Sequence, residues 1–421
     1  MSKQNKNNTP RLRFPEFTGE WEEKTLEEVG KFVRGLSYTN TEVSQDASAT
    51  LVLRSNNITQ DGIVDCNNGL QYVTKIPSEE QKLKEGDVVI CLANGSSNLV
   101  GKSACFSGDY NGVATVGAFC GIYRSTMPIC KYLVQTSAYK EKINLIKQGG
   151  NGALANLYGR DILGLKFYFP PSPEEQKKIA DCLSEMDKLI SAQAQKVEAL
   201  KEKKTGLMQQ LFPQKGETTP RLRFPGFTGE WEEITLGEVA DKVKHKNTSL
   251  QVSRVLTNSA NLGVVDQGAY FDRDIAVREN TGSYSIVEID DFVYNPRIST
   301  AAPVGPISIN KIGQGIMSPL YTVFRFHTGY IPFYEQYFQT DIWHSYLKSI
   351  ANFGARFDRM NITVEGFFKM PLYIPSPSEQ QKIADCLSEL DDLIASETKQ
   401  LEALKDHKKG LMQQLFPQPA K

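Results

Sequence analysis

Two stretches of this chain occur twice, and a chain that repeats its flanks around unrelated middles has few ways to fold. The segment Thr9 to Glu23 returns almost letter for letter as Thr219 to Glu233. The segment Ser172 to Gln214 recurs as Ser376 to Gln418, about two-thirds identical, at an offset of 204 residues. Between these copies, roughly residues 25 to 170 and 235 to 374 share very little sequence. A solenoid repeats every 20 to 50 residues or so, far less than this period. The pattern therefore predicts one scaffold built twice around two different inserts, doing the same kind of job on two different objects.

With 421 residues, 40% hydrophobic and 23% charged, the chain can fill two ordinary cores. The opening residues are polar, and no run approaches the roughly 18 apolar residues of a spanning helix. These features predict a cytoplasmic protein that makes no use of a membrane. The 7 cysteines include no Cys-x-x-Cys pair, which suits neither a disulfide framework nor a zinc site. Cys182 and Cys386 occupy equivalent positions and read as packing residues. His245, His327, His344 and His407 show no metal-ligand spacing. Formal net charge is -1, unusual for a protein that holds nucleic acid unaided. Either nucleic acid is not the partner, or the basic groups lie on one face and other subunits supply the rest.

The longer repeat carries a heptad stripe: Ile179, Leu183, Met186, Ile190, Val197, Leu200, Leu207 and Leu211, then Ile383, Leu387, Leu390, Ile394, Leu401, Leu404, Leu411 and Leu415. Gln193 and Lys204 interrupt the first copy where Glu397 and Lys408 interrupt the second. Such a stripe is a coiled-coil seam, and matched polar interruptions set register. Ser172-Pro-Glu-Glu175 and Ser376-Pro-Ser-Glu379 predict capping boxes at the helix starts. Each helix would run roughly 55 Å. The other copy is its natural partner, in an antiparallel pair with one insert at each end; packing on its own insert is the alternative.

Within the inserts, Gly86 to Cys91 and Val100 to Phe106 read as strands around a loop, matched by Asp290 to Asn295 and Val304 to Ile309. Asp87 matches Asp291 and Gly101 matches Gly305 at the 204 offset, so the inserts read as one fold with divergent surfaces. Tyr132 to Ile146 and Tyr334 to Ile350 read as helices. The loops between the matched strands hold Asn94, Ser96 and Asn98, followed by Lys102, in the first insert and Arg297, Ser299 and Thr300 in the second. Asn, Arg, Ser and Thr are side chains that read base edges, although polar turns use them too. Further candidates are Arg54, Asn56, Asn57, Asn151, Tyr158 and Arg160 in the first insert, and Asn258, Asn261, Arg356 and Arg359 in the second. Gly95 to Ser103 misses the phosphate-loop spacing by one residue, and Asn295-Pro-Arg-Ile298 shares only two letters with the methyltransferase motif Asn-Pro-Pro-aromatic.

The twin Leu-Arg-Phe-Pro-x-Phe-Thr-Gly-Glu-Trp segments (12 to 21 and 222 to 231), the twin helices and the Tyr294 to Ile298 strand end together resemble the specificity subunit of type I restriction-modification enzymes. The resemblance covers essentially the whole chain. It implies an α+β fold with two tandem pseudo-symmetric target-recognition domains, each a mixed β-rich core with short helices, separated by two long helices in an antiparallel coiled coil. The implied segments are 1–24 and 215–234 (scaffold), 25–170 and 235–374 (target recognition), 171–214 (central helix) and 375–421 (C-terminal helix). It further implies a non-catalytic subunit reading a split, asymmetric double-stranded DNA site, with two methyltransferase and two motor-nuclease subunits as partners. The complex would use S-adenosylmethionine, ATP and Mg, with no cofactor or metal on this chain. The alternative is a coiled-coil interaction protein whose inserts bind protein instead of DNA.

Overall fold

The computed structural model describes residues 8–59, 62–148, 156–214, 216–270, 278–352 and 358–417. The chain divides into two compact units: Met1–Ala194 with Lys399–Lys421, and Gln195–Thr398. Each unit thus takes part of both long helices, Pro173–Leu211 and Pro377–Leu415.

In the first unit, Glu22–Thr25 pairs antiparallel with Lys166–Phe169, closing the insert where it joins the scaffold. A four-stranded antiparallel sheet follows the spatial order Gly30–Arg34, Cys120–Ser125, Val88–Cys91, Ser103–Cys105. A second four-stranded sheet is built from Val43–Ser44, Tyr72–Val73, Thr50–Leu53 and Ala114–Val116, the last pair parallel. In the second unit, Glu232–Thr235 pairs with Pro371–Ile374, and the main sheet runs Ala240–Lys242, Thr322–Phe326, Phe292–Tyr294, Ile307–Ile309. The two main sheets share strand order and connectivity. The remainder differs: the second unit has two two-stranded ribbons, linked by the isolated parallel bridge Val255–Ile316, in place of the second sheet.

Matched charges hold the two main sheets alike. Asp87 is buried and takes the Arg124 guanidinium through both oxygens, at 2.7 and 2.6 Å. Asp291, also buried, takes Arg325 at 2.6 and 3.0 Å. Each of these buried carboxylates also accepts a backbone N–H at 2.8 Å, from Lys84 and Glu288 respectively, so guanidinium and backbone together offset its desolvation.

The expected helix Tyr132 to Ile146 is instead two, Cys130–Leu133 and Ser137–Gln148. Thr136 causes the break: its hydroxyl donates to Leu133 O and accepts from Tyr139 N, restarting the helix as a cap would. Tyr334 to Ile350 likewise splits into Ile331–Phe338 and His344–Ile350. Lys102 lies in a turn, and the strand it was expected to join begins at Ser103.

All sixteen seam residues expected from the heptads are buried or half-buried. Within the second unit, Lys196 meets Glu397 and Lys204 meets Asp391, so one helix rises in number as the other falls, an antiparallel pairing. The alternative reading holds in part as well. Ile179 and Leu183 share a core with Trp21, Tyr132 and Leu415, and Ile383 and Leu387 share one with Trp231, Phe333 and Leu211. Each long helix therefore serves both as coiled-coil strand and as core helix of a unit.

The capping boxes differ from expectation. Ser172 Oγ does cap, accepting from Glu175 N at 3.2 Å, but the Glu175 carboxylate turns to the repeated N-terminal segment. Arg13 donates to it at 2.7 and 2.8 Å, and Trp21 Nε1 at 3.3 Å. In the second unit Arg223 grips Glu379 at 2.8 and 2.6 Å. Hydrogen bonding to these carboxylates raises both arginine pKa values above the ordinary one. The repeated segment is thus a latch on a helix start, and Leu12 N and Leu222 N bond the equivalent carbonyls Gln414 O and Gln210 O at helix ends.

Candidate nucleic-acid interface

Three of the candidate groups in the first unit converge. Strand Thr50–Leu53 ends in the tight turn Arg54–Asn57, strand Val88–Cys91 ends in the loop Ala93–Asn98, and Asn94 Nδ2 donates across to Ser55 Oγ at 2.9 Å. Leu157 N donates to Leu92 O at 2.9 Å, bringing Tyr158 and Arg160 beside the same loop. Asn56, Ser96, Asn98, Tyr158 and Arg160 are exposed, and the Arg160 guanidinium lies 5.2 Å from the Tyr158 ring. That surface presents amides, hydroxyls, one aromatic face and one cation, suited to base edges and phosphate.

Two asparagines do other work. Asn57 is buried, its amide donating to Asp65 O and Asn68 O while its oxygen accepts from Arg54 N. Asn258 is buried too, donating to Val293 O at 2.7 Å and Pro306 O at 3.2 Å. Both spend their amides on backbone carbonyls, so neither side chain is placed to read a base. Arg54 is half-buried and donates to Gly69 O, leaving Asn56 the outward residue of its turn. Lys102 lines a cleft against the long helices, which Asn98 of this group also borders.

In the second unit Arg297 and Arg359 face each other in an antiparallel bridge, sealed by Ile298 N to Asp358 O and Met360 N to Pro296 O, each 3.0 Å. Asn295 shapes the turn, donating to Asn258 O and accepting from Arg297 N. Ser299 and Thr300 are exposed at its tip, with Ser299 Oγ accepting from Ala302 N. Arg297 is 64% exposed and pairs loosely with Asp358 at 3.7 Å. Asn261 is exposed on the turn of the hairpin Leu256–Ser259 and Gly263–Asp266. Asn151 and Arg356 lie outside the described residues.

Sequence reasoning passed over Ser55, Asn352 and Asn361. Asn352 and Asn361 form a bridge and are both exposed beside Arg359. Asn361 stands two residues beyond Arg359, on the same face if the segment is extended, and that alternation was the available signal. Among the described residues no group of three His, Cys, Asp or Glu is placed to hold a metal ion, and no helix is long and apolar enough to cross a membrane.

Residues 18–202 and 228–406 each match the type I restriction modification DNA specificity domain. The chain belongs to that family. It is 24% identical to a protein of Methanocaldococcus jannaschii described as the type I restriction enzyme MjaX specificity subunit, over 97% of this chain and 96% of that one. It is 29% identical to the StySPI specificity subunit of Salmonella potsdam over a shorter stretch, 39% of this chain and 35% of that protein. The crystal structure of a type I restriction-modification S subunit from M. genitalium superposes with a TM-score of 0.56 at 15% identity, covering 98% of this chain and all of that one. A subunit from a study of type I complex assembly and conformational transition gives 0.50 at 14% identity, covering 94% of this chain and 97% of that one. The duplicated specificity-domain architecture expected from the repeats is therefore the architecture of this family of folds.

Proposed function

We propose that this specificity subunit reads a bipartite, asymmetric double-stranded DNA target, each unit reading one half, and performs no catalysis itself. One observation carries this reading: the latches and the main sheets are repeated, whereas the exposed loops at their strand ends are not. Arg13–Glu175 and Arg223–Glu379 match in partners and geometry, so what grips the scaffold meets two equivalent places. The loops Ala93–Asn98 and Arg297–Ala302 share almost no chemistry, so what they touch differs. Two methyltransferase subunits on the paired scaffold, joined by two motor-nuclease subunits, fit that symmetry. S-adenosylmethionine, ATP and Mg would then be bound by those partners. A net charge of -1 fits a reader whose DNA is held largely by other subunits.

Sequencing modified adenines in cells carrying the full system, with and without this chain, tests the function. The expected result is methylation at one split motif that disappears with the subunit. Methylation that persists unchanged without it, or methylation and cleavage by the purified chain alone, overturns the reading.

A further inference from the structure

The first unit contains a cleft of about 630 Å³, walled on one side by the segment before Ser103 and by helix Ser137–Gln148 from its first turn to its last, and on the other by both long helices. Six lysines line it, Lys102, Lys140, Lys147, Lys405, Lys408 and Lys409, against three carboxylates, Asp187, Glu402 and Asp406. Internal pairing accounts for part of this charge. Lys408 meets Asp187 at 2.6 Å and Lys405 meets Glu402 at 3.2 Å, while Lys147 donates to the carbonyls of Ser97 and Val100. Among the described residues Lys102, Lys140 and Lys409 enter no ion pair, and together they outweigh Asp406. A concave site with converging cations suits a phosphate group.

At the 204-residue offset, Lys102 is matched by Pro306 and Lys409 by Thr205, so this excess charge belongs to one unit only. A partner that docks on both halves alike would meet repeated chemistry, so this unrepeated cationic cleft lies outside that docking and suits a polyanion that runs past the first unit. Asn98, an exposed member of the candidate reading loop, also lines the cleft, which makes the two surfaces continuous. We infer that the cleft takes a backbone phosphodiester of the DNA flanking the half-site read by this unit, with Lys102, Lys140 and Lys409 as its ligands. This rests on the DNA-reading function proposed above.

The test is DNA binding by the full chain in its assembled complex, measured across a salt series on target and scrambled duplexes, for wild type and for Lys140→Gln/Lys409→Gln. Affinity should fall on both duplexes alike, and the slope of log affinity against log salt should flatten by about one for each phosphate no longer neutralised. An unchanged slope in a variant that assembles, beside a wild type that prefers its target, overturns the cleft inference alone. A wild type with no preference for its target overturns the DNA-reading function itself. Titration with inorganic pyrophosphate adds a second arm. Pyrophosphate binding abolished in the variant, with the DNA slope unchanged, would assign the cleft to a free anion and reject the DNA occupant.

Discussion

A guanidinium held by one half-exposed carboxylate at 3.7 Å is weakly held, which leaves Arg297 available to a stronger anion or acceptor. Its backbone is fixed by the bridge to Arg359, so the side chain leaves a rigid turn instead of a floppy one. Arg297→Ala in the assembled methyltransferase should weaken target binding by about 1 to 3 kcal/mol and relax preference at one base position, if the contact is bidentate to guanine. Competitive binding to a panel of single-base variants checks this. A uniform loss with a shallower salt slope would mark a phosphate contact, and no change would remove Arg297 from the interface. Arg124 poses a different case, since its partner Asp87 has only 2% of its side chain exposed. Arg124→Met strands that carboxylate without a counter-charge, and removing one partner of a buried pair costs about 3 to 5 kcal/mol. Urea unfolding of the full chain should show a loss near the lower end, because Arg124 itself is partly solvated.

At the scale of elements, two of the polar interruptions of the seam prove to be buried lysines with partners on the facing helix. Lys204 Nζ reaches both oxygens of Asp391 on that helix at 2.6 and 2.8 Å and Gln339 of the recognition unit at 2.7 Å. Gln336 donates to the same Asp391 carboxylate at 2.8 Å. In the first unit Lys408 meets Asp187, which also accepts from Tyr132 Oη at 3.0 Å. Burial, then the nearby carboxylate, push the Tyr132 phenol well above its usual range, so it remains a donor. These pairs are repeat-equivalent, and each ties the two helices to one insert. Lys204→Ala should cost on the order of 1 to 2 kcal/mol, moderated because Asp391 is 42% exposed. Lys204→Met with Asp391→Leu should recover most of that loss, as measured in a double-mutant cycle by urea denaturation. Failure to recover would mean that the helices need the charge for more than its own compensation. Gly305 is a second element-scale constraint. Its φ is +79°, and a Cβ there would stand 1.9 Å from Asn295 O, at the base of the Arg297 turn. Gly305→Ala should cost more than about 1 kcal/mol and disturb recognition of the second half-site while sparing the first.

For the whole molecule, modularity is the prediction. Each insert is closed by a short antiparallel pair, Glu22–Thr25 with Lys166–Phe169 and Glu232–Thr235 with Pro371–Ile374, so its two ends leave side by side. Replacing residues 25 to 170 with the corresponding insert of a relative should change one half of the methylated motif and leave the other. Sequencing of modified adenines reads this directly. If both halves changed together, the assignment of one half-site to each unit would be wrong.

The repeats, the heptads and the matched Asp87/Asp291 and Gly101/Gly305 were enough to predict two copies of one scaffold and a coiled-coil seam, because periodicity and duplication are properties of the chain alone; the antiparallel sense, and the second role of each helix in an insert core, were established by the fold. The partners of Glu175 and Glu379 were not legible. A capping box and a latch from 162 residues upstream use the same letters, and only the folded chain brings Arg13 to the helix start. The candidate interface divides the same way. Exposed polar residues in strand-end loops pointed toward Asn56, Ser96 and Arg297, but Asn57 and Asn258 carry the same side chain and spend it on buried backbone carbonyls. Composition lists what a side chain can bond. Which groups remain free to meet a ligand is decided by burial, and burial depends on contacts between residues far apart in the chain.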